Sequence, residues 1–354
     1  MNLDIDFSSV SNSDIGQNLL NNLLNLPYLN VLQFPLWKGK YDIKDFEFNS
    51  YITNSKALNP VTKEFHKKAN IYFARKRVKI QWRKFMDSEE AKIFNRLICE
   101  IDTHLKYSPH VDEEANRLIR FYGFGIHELE VNFCTEYMDG NLRLFRNHIR
   151  EKRKFFPFEL LQYIAVVLVE GLDYLKTKFN IIHRDIKPDN ILYSKTENKI
   201  KLADFGISRT LANSKATTVI ATMIYLPPER IGNKNPYGIE SDIWSLGLVL
   251  AEMICGKFPL IESEEDNESF KAVTFKLAEI KDGLKIENLV KNSVFGKSVL
   301  ENTEDSEIEF INICLQSYNS ETKGPRPNNY RELKKLDFYK DFEENLFDLQ
   351  PFLQ

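Results

Sequence analysis

The chain has 354 residues, 43% of them hydrophobic and 28% charged, a balance that excludes a disordered polyelectrolyte and supplies enough apolar surface for two compact units and an extension. Its net charge is −3 and its pI about 6.2, so no overall positive field steers it to nucleic acid or to an anionic membrane surface. No run approaches the ~18 apolar residues of a membrane span, the opening M-N-L-D-I-D-F is acidic where a secretory leader is basic, and Cys99, Cys134, Cys255 and Cys314 lack the C-x-x-C pairing of a zinc site or the framework of a disulfide-stapled domain.

The expected compartment is therefore reducing and cytoplasmic, with nuclear shuttling open. Residues 1 to about 36 contain no Lys or Arg, and their leucines at 19, 20, 23, 24 and 26 before Pro27 predict one short amphipathic helix. Its stripe lies on the folded domain or, on a second reading, forms a leucine-rich export element. From Tyr41 the pattern turns to aromatic and β-branched runs, 46–52 and 71–80, which predict a small antiparallel sheet. A helix over 87–105 follows, started by Asp87 or Ser88 with Glu89 and Glu90 in its first turn and carrying Ile93, Leu97 and Ile101 on one face. Runs over 118–124 and 130–137 complete the sheet, and Met138-Asp139-Gly140 breaks it at a candidate hinge. Helical periodicity then dominates, over 157–178, 241–255, 270–279, 307–317 and 331–347. The acidic run 262–268 reads as a solvated loop face.

Between these helices lies I-I-H-R-D-I-K-P-D-N-I-L-Y, residues 181–193. Apolar Ile181-Ile182 before the charged stretch and Ile191-Leu192-Tyr193 after it read as short buried strands that hold a loop rigid. Phosphoryl transfer needs a carboxylate to orient a hydroxyl, a cation near the transferred phosphate and an oxygen ligand for Mg²⁺, and Asp185, Lys187 and Asn190 supply these in order. Asp204-Phe205-Gly206 follows a strand-like stretch at 199–203.

These two strings in register resemble the protein-kinase catalytic loop and its Mg²⁺-binding aspartate. The A-R-K core at 74–76, D-F-G-I-S, T-M-I-Y-L-P-P-E-R and S-D-I-W-S-L-G-L narrow the resemblance to the MAP kinase kinases. It implies an α+β, two-lobe protein-kinase fold: a small antiparallel β-sheet lobe over 41–135 and a larger, mainly helical lobe over 136–345, after an N-terminal extension (1–40) and before a C-terminal tail (346–354). It further implies that Lys76 contacts the α/β-phosphates and pairs with Glu100, and that adenine bonds to backbone groups of Glu136 and Met138 beside Thr135. Asn190 and Asp204 would hold metal. Ser214 and Thr218, ten and fourteen residues after Asp204, would be the activating phosphorylation positions. Thr222 would bond to Asp185 and Lys187, and Glu229 with Arg326 would form a buried ion pair supporting the activation segment. Arg184 has two uses open to it, a structural salt bridge or capture of a loop phosphate by its planar fork. Asp242 and Trp244 start an apolar helix and read as scaffold.

Two departures from that family stand out. No glycine occurs between Gly39 and Gly123, so Y-I-T-N-S-K-A-L-N-P-V-T (51–62) lies where a G-x-G-x-x-G phosphate loop is expected, with Asn54, Ser55 and Asn59 as its best turn formers. No basic docking run precedes the domain. The first expectation is an ATP- and Mg²⁺-dependent dual-specificity kinase, monomeric or in transient complexes, acting on a MAP kinase and switched by an upstream MAP kinase kinase kinase. The alternative is a kinase-shaped scaffold or decoy whose glycine-free loop has lost useful ATP affinity.

Overall fold

The computed structural model describes residues 31–34, 37–40, 42–53, 59–79, 116–127, 130–152, 155–204, 223–231, 238–261, 267–318, 324–343 and 347–353. The predicted helices over the N-terminal leucines and over 87–105, Glu100 included, lie outside them. The chain packs as two compact units, one comprising residues 1–111, 120–137 and 210–212, the other 112–119, 138–209 and 213–354.

The first unit is built on a seven-stranded antiparallel sheet, with strands β1 Val31–Phe34, β2 Trp37–Lys40, β3 Phe46–Tyr51, β4 Val61–His66, β5 Ile71–Lys79, β6 Phe121–His127 and β7 Glu130–Glu136, ordered β2-β1-β6-β7-β5-β4-β3. Val31–Phe34 and Trp37–Lys40, assigned from sequence to the extension, instead pair with each other as antiparallel strands, and Leu32 pairs with Gly123 on β6. β4 was not expected. Its inward positions are Thr62, Glu64 and His66, so its alternation buries polar groups and hides from a search for apolar ones. Thr62 and Glu64 are bonded to Arg75 and to each other: Arg75 Nε donates to Glu64 Oε1 at 2.9 Å, Thr62 Oγ1 donates to the same oxygen at 2.7 Å, and Arg75 Nη1 reaches Asn132 Oδ1 at 3.3 Å, while His66 Nδ1 accepts the Ala69 N–H at 3.0 Å. Beside this network Ala69, Phe73, Tyr122 and Cys134 form an apolar cluster flanked by Phe46 and Ile71.

The second unit is mainly helical. After the two-residue strand β8 Gly140–Asn141, α1 runs Leu142–Glu151, started by the Asn141 carbonyl oxygen of the side chain accepting from Leu144 N–H at 3.0 Å. α2 spans Phe158–Phe179 and ends on Asn180 in the left-handed region, φ 55°. β9 Ile191–Ser194 pairs with β8 and with β10 Lys199–Leu202. α3, Ile239–Cys255, has 15 buried residues among its 17, the apolar-all-round pattern of a central helix. α4 Asn267–Ala278, α5 Ile286–Leu289 and α6 Asp305–Cys314 follow.

The single helix predicted over 331–347 is instead two four-residue helices, α7 Tyr330–Leu333 and α8 Asp337–Lys340. Leu336 between them is extended, ψ 145°. Tertiary bonds explain the break: Lys334 Nζ lies 2.5 Å from Asp173 Oδ2, and the Phe338 carbonyl accepts from Gln162 Nε2 on α2 at 2.9 Å, so both pieces are seated on α2 at the expense of a continuous helix. The last residues are tied down as well, with Phe347 against the Tyr163 ring and Leu349 N–H donating to Asn198 Oδ1 at 2.9 Å.

Candidate active site

The residues around Asp185 form a loop suspended between the end of α2 and β9, and α3 holds it from below. Asp242 accepts the backbone N–H of His183 on one carboxylate oxygen (2.8 Å) and that of Arg184 on the other (2.9 Å). That grip sustains Arg184 at φ 69°, a left-handed conformation that costs a residue with a Cβ about 1–2 kcal/mol. Ile181 and Ile182, expected as a strand, are irregular; the two Asp242 bonds do the anchoring that strand pairing was expected to do.

His183 is fully enclosed. Its Nδ1 accepts from Asp185 N–H at 3.2 Å, which leaves Nε2 as the protonated nitrogen, 3.1 Å from the Ala203 carbonyl. Burial pushes its pKa down to about 4 against the pull of nearby Asp185, so at neutral pH the ring is an uncharged bridge between the Asp185 loop and the residue before Asp204.

Asp185 is itself buried. Lys187 Nζ lies 2.8 Å from its Oδ2, and Asn190 Nδ2 donates to the same oxygen at 2.9 Å and to the Asp185 carbonyl at 2.8 Å. Acid, base and amide are thus one bonded cluster, with the carboxylate plane set by two donors. Because the Asn190 nitrogen is committed to Asp185, its Oδ1 is the ligand atom it offers, and Asn190 also accepts the Ala203 N–H on its backbone carbonyl at 2.8 Å. Asp204, the next residue, holds φ 56°. A carboxylate and an amide oxygen brought to adjoining backbone are hard donors of the kind Mg²⁺ takes together with phosphate oxygens, so the donor set fits Mg·ATP.

Glu229 and Arg326, expected to form a buried ion pair, lie in the same unit. Arg326 Nη1 meets Glu229 Oε1 at 2.6 Å and Nη2 meets Oε2 at 3.3 Å, while its Nε donates to the Gln316 carbonyl at 2.8 Å and its guanidinium stacks 4.6 Å from the Trp244 ring. This arginine is 1% exposed, and each side of its fork is occupied. Arg184 and Arg230 lie close enough for one guanidinium charge to disfavour the other: burial first, then Arg184, lower the Arg230 pKa. Ser214, Thr218 and Thr222 lie outside the described residues.

In the first unit, Lys76 sits on β5 opposite Val61 of β4 and Phe133 of β7, half-buried. Glu136 ends β7 and is clamped to Arg120 both ways: its N–H donates to the Arg120 carbonyl at 2.9 Å and its carboxylate accepts the Arg120 N–H at 2.6 Å. In the second unit Met138 is buried, and Asp139 bonds to β9 through its N–H (Tyr193 carbonyl, 2.9 Å) and its Oδ2 (Lys195 N–H, 2.7 Å).

Residues 57–325 match the family model of the protein kinase domain. This chain belongs to the protein kinase family. It is similar to MAP kinase kinase PBS2 of Saccharomyces cerevisiae, 38% identical over 213 residues, which are 58% of this chain and 30% of that protein. It is also similar to the dual specificity mitogen-activated protein kinase kinase sek-1 of Caenorhabditis elegans, 34% identical over 216 residues, 60% of each chain. The matched stretch therefore spans less than two thirds of the length of either relative. The two-lobe kinase fold stands on this match, with its antiparallel sheet unit and its helical unit; the scaffold alternative finds no support in it. Among the described residues, no helix is long and apolar enough to cross a membrane.

Sequence reasoning missed several members of this site. His183 was passed over inside the motif, and Asp242 was read as scaffold although both its oxygens carry the loop. The pairing of Asp189 with Arg143, described below, had a signal only in the unlike charges of two residues 46 positions apart.

Proposed function

We propose that this chain is an ATP- and Mg²⁺-dependent protein kinase of the MAP kinase kinase kind, which phosphorylates the Thr and the Tyr of a T-x-Y activation loop in a MAP kinase. The observation that carries the reading is the bonded cluster Asp185–Lys187–Asn190 next to Asp204, in a chain whose curated relatives are named as MAP kinase kinases. Asp185 orients the acceptor hydroxyl and takes its proton; Lys187, 2.8 Å away, stabilises charge on the transferred group; Asn190 Oδ1 and the Asp204 carboxylate would hold Mg²⁺. Bound Mg²⁺ would supply neutralisation of the developing phosphate charge. Lys76 would take the α/β-phosphates, paired with Glu100, and backbone groups of Glu136 and Met138 the adenine. Phosphates placed by a MAP kinase kinase kinase on Ser214 and Thr218 would add about −1.5 to −2 charges each and order their loop against Arg184 and its neighbours, with Thr222, Glu229 and Arg326 supporting it.

The test is phosphosite mapping by mass spectrometry after incubating the chain, phosphorylated by an upstream kinase, with a folded MAP kinase, ATP and Mg²⁺. Phosphate is expected on both Thr and Tyr of the T-x-Y loop, and Asp185→Asn is expected to slow its appearance about a hundredfold or more with the fold intact. Phosphate on Ser alone, or equal rates with Asp185→Asn, would overturn the reading.

A further inference from the structure

Helix α1 carries two arginines one turn apart, Arg143 and Arg146, and both point at carboxylates that belong to other elements. Arg143 grips Asp189, the residue between Pro188 and Asn190: Nε donates to Oδ1 at 3.0 Å and to Oδ2 at 3.2 Å, and Nη2 donates to Oδ2 at 2.7 Å. Its remaining nitrogen, Nη1, lies 4.0 Å from Oε1 of Glu252 on α3. Arg146 donates to that same oxygen. The other Glu252 oxygen accepts the Tyr225 hydroxyl at 2.5 Å, and the Tyr225 carbonyl accepts Ser245 Oγ at 2.9 Å. Glu252 is wholly enclosed, so its charge depends on these partners.

Tyr225 is thus hydrogen-bonded to Glu252, and Glu252 meets Arg143, which holds the turn that presents Asn190, by a 4.0 Å ion-pair approach. Burial works against ionisation of Asp189, but the Arg143 hydrogen bonds and charge, with Lys187 behind them, hold its carboxyl below the ordinary value. The Asp189 and Arg143 side chains are 40% and 32% exposed, so solvent screens the pair and its worth to global stability is small. Its geometric worth is larger. The 3-10 turn Pro188–Asn190 has no side-chain cap at Lys187, and the Asp189 fork is what fixes this turn to a helix.

We propose that Arg143 is a positioning residue for phosphoryl transfer: by its fork on Asp189 it sets the turn that aims Lys187 and Asn190, and through Glu252 it couples that turn to Tyr225. It touches no reacting atom. This rests on the kinase reading above, and it concerns residues in one unit of the fold.

The experiment is a double-mutant cycle in the full chain with Arg143→Met, Asp189→Asn and the pair together, read by kcat and KM and, separately, by hydrogen exchange at the amides of Asn190 and Ile191. Each single variant is expected to lower kcat about tenfold with KM for the protein substrate changed less than about twofold, a misalignment effect, and the double variant to lose no more than either single. Arg143→Lys should recover only part of kcat, because an ammonium cannot make the fork. Exchange at Asn190 and Ile191 should quicken in all of these variants while the melting temperature stays within about 2 °C of the parent. Independent, additive losses, or unchanged exchange at Asn190 with Arg143→Met, would overturn the proposal. If the parent transfers no phosphate, the kinase reading fails, and the exchange arm still decides whether Arg143 holds the turn.

Discussion

Arg184 and Asp204 both hold backbone angles in the left-handed region, φ 69° and 56°, and they bracket the Asp185–Lys187–Asn190 cluster in the chain. Strain of this kind persists only where neighbours over-determine it, and at this site the neighbours are Asp242 and His183. His183 carries a testable consequence. Burial lowers its pKa to about 4 from the ordinary 6.5, so between those values the unfolded chain binds the proton and the folded chain does not. Stability from this group is fully present above about pH 6.5 and is lost as pH falls towards about 4, at up to about 1.4 kcal/mol per pH unit. Chemical-denaturation midpoints measured across that window for the parent and for His183→Gln should show the parent falling more steeply. The variant should be weaker at pH 7, where it lacks the Ala203 bridge, and should have the shallower acid slope. Parallel slopes would mean that the ring protonates inside the fold at its ordinary pKa.

Among the elements, α3 decides most. Its polar start supplies Asp242, its apolar length is the core of the second unit, and its last turns supply Glu252. Gly247 lies where α3 meets the end of α6: a Cβ there would stand 2.7 Å from Cys314 Cβ and 3.0 Å from Leu315 side-chain carbons. Gly247→Ala removes a helix-weakening glycine, a gain of about 1 kcal/mol, but it must force two helices apart in a close-packed core, which costs about 1–3 kcal/mol. Overpacking should win, and a urea titration is expected to show a net loss of up to about 2 kcal/mol. Elements were legible in the sequence according to what they bury. α2 and α3, apolar on nearly every face, were found within about two residues at each end, as were β5 and β7, which bury Phe73, Val78, Val131 and Phe133 beside the polar Arg75 and Asn132. β4 was missed because Thr62, Glu64 and His66 face inward, and α7 with α8 was over-extended because bonds to Asp173 and Gln162 on another helix, which no local pattern contains, break it at Leu336. Within the site, acid and amide types at fixed spacing named Asp185, Lys187, Asn190 and Asp204. The partners that orient them, Asp242 and Arg143, come from distant sequence and carry no spacing rule.

For the molecule as a whole, the open question of the sequence was nucleotide binding without a glycine-rich loop. Between Gly39 and Gly123 the chain has no residue that adopts φ > 0 without cost, and one or two poorly made backbone contacts to phosphate weaken affinity about ten- to a hundredfold, at about 1.4 kcal/mol per factor of ten. The rest of the proposed nucleotide machinery is rigidly supported: Glu136 is doubly bonded to Arg120, and Asn190 is locked to Asp185 and Ala203. A modest but Mg²⁺-dependent affinity for ATP follows. At a free concentration about fifty times the dissociation constant, ligand binding stabilises the native state by about 2 kcal/mol, which raises the melting temperature of a domain of 150–250 residues by about 4–8 °C. Because the chain packs as two compact units, the two need not melt together, so the reading is taken from each transition separately as ATP and Mg²⁺ are raised to several millimolar. Lys76→Met in the first unit and Asp204→Asn in the second should each diminish the shift, and glycines restored at Asn54, Lys56 and Asn59 should enlarge it at the same nucleotide concentration. A folded protein whose transitions ignore ATP with Mg²⁺ throughout that range would show that the loop has cost the chain its nucleotide, and with it the proposed activity.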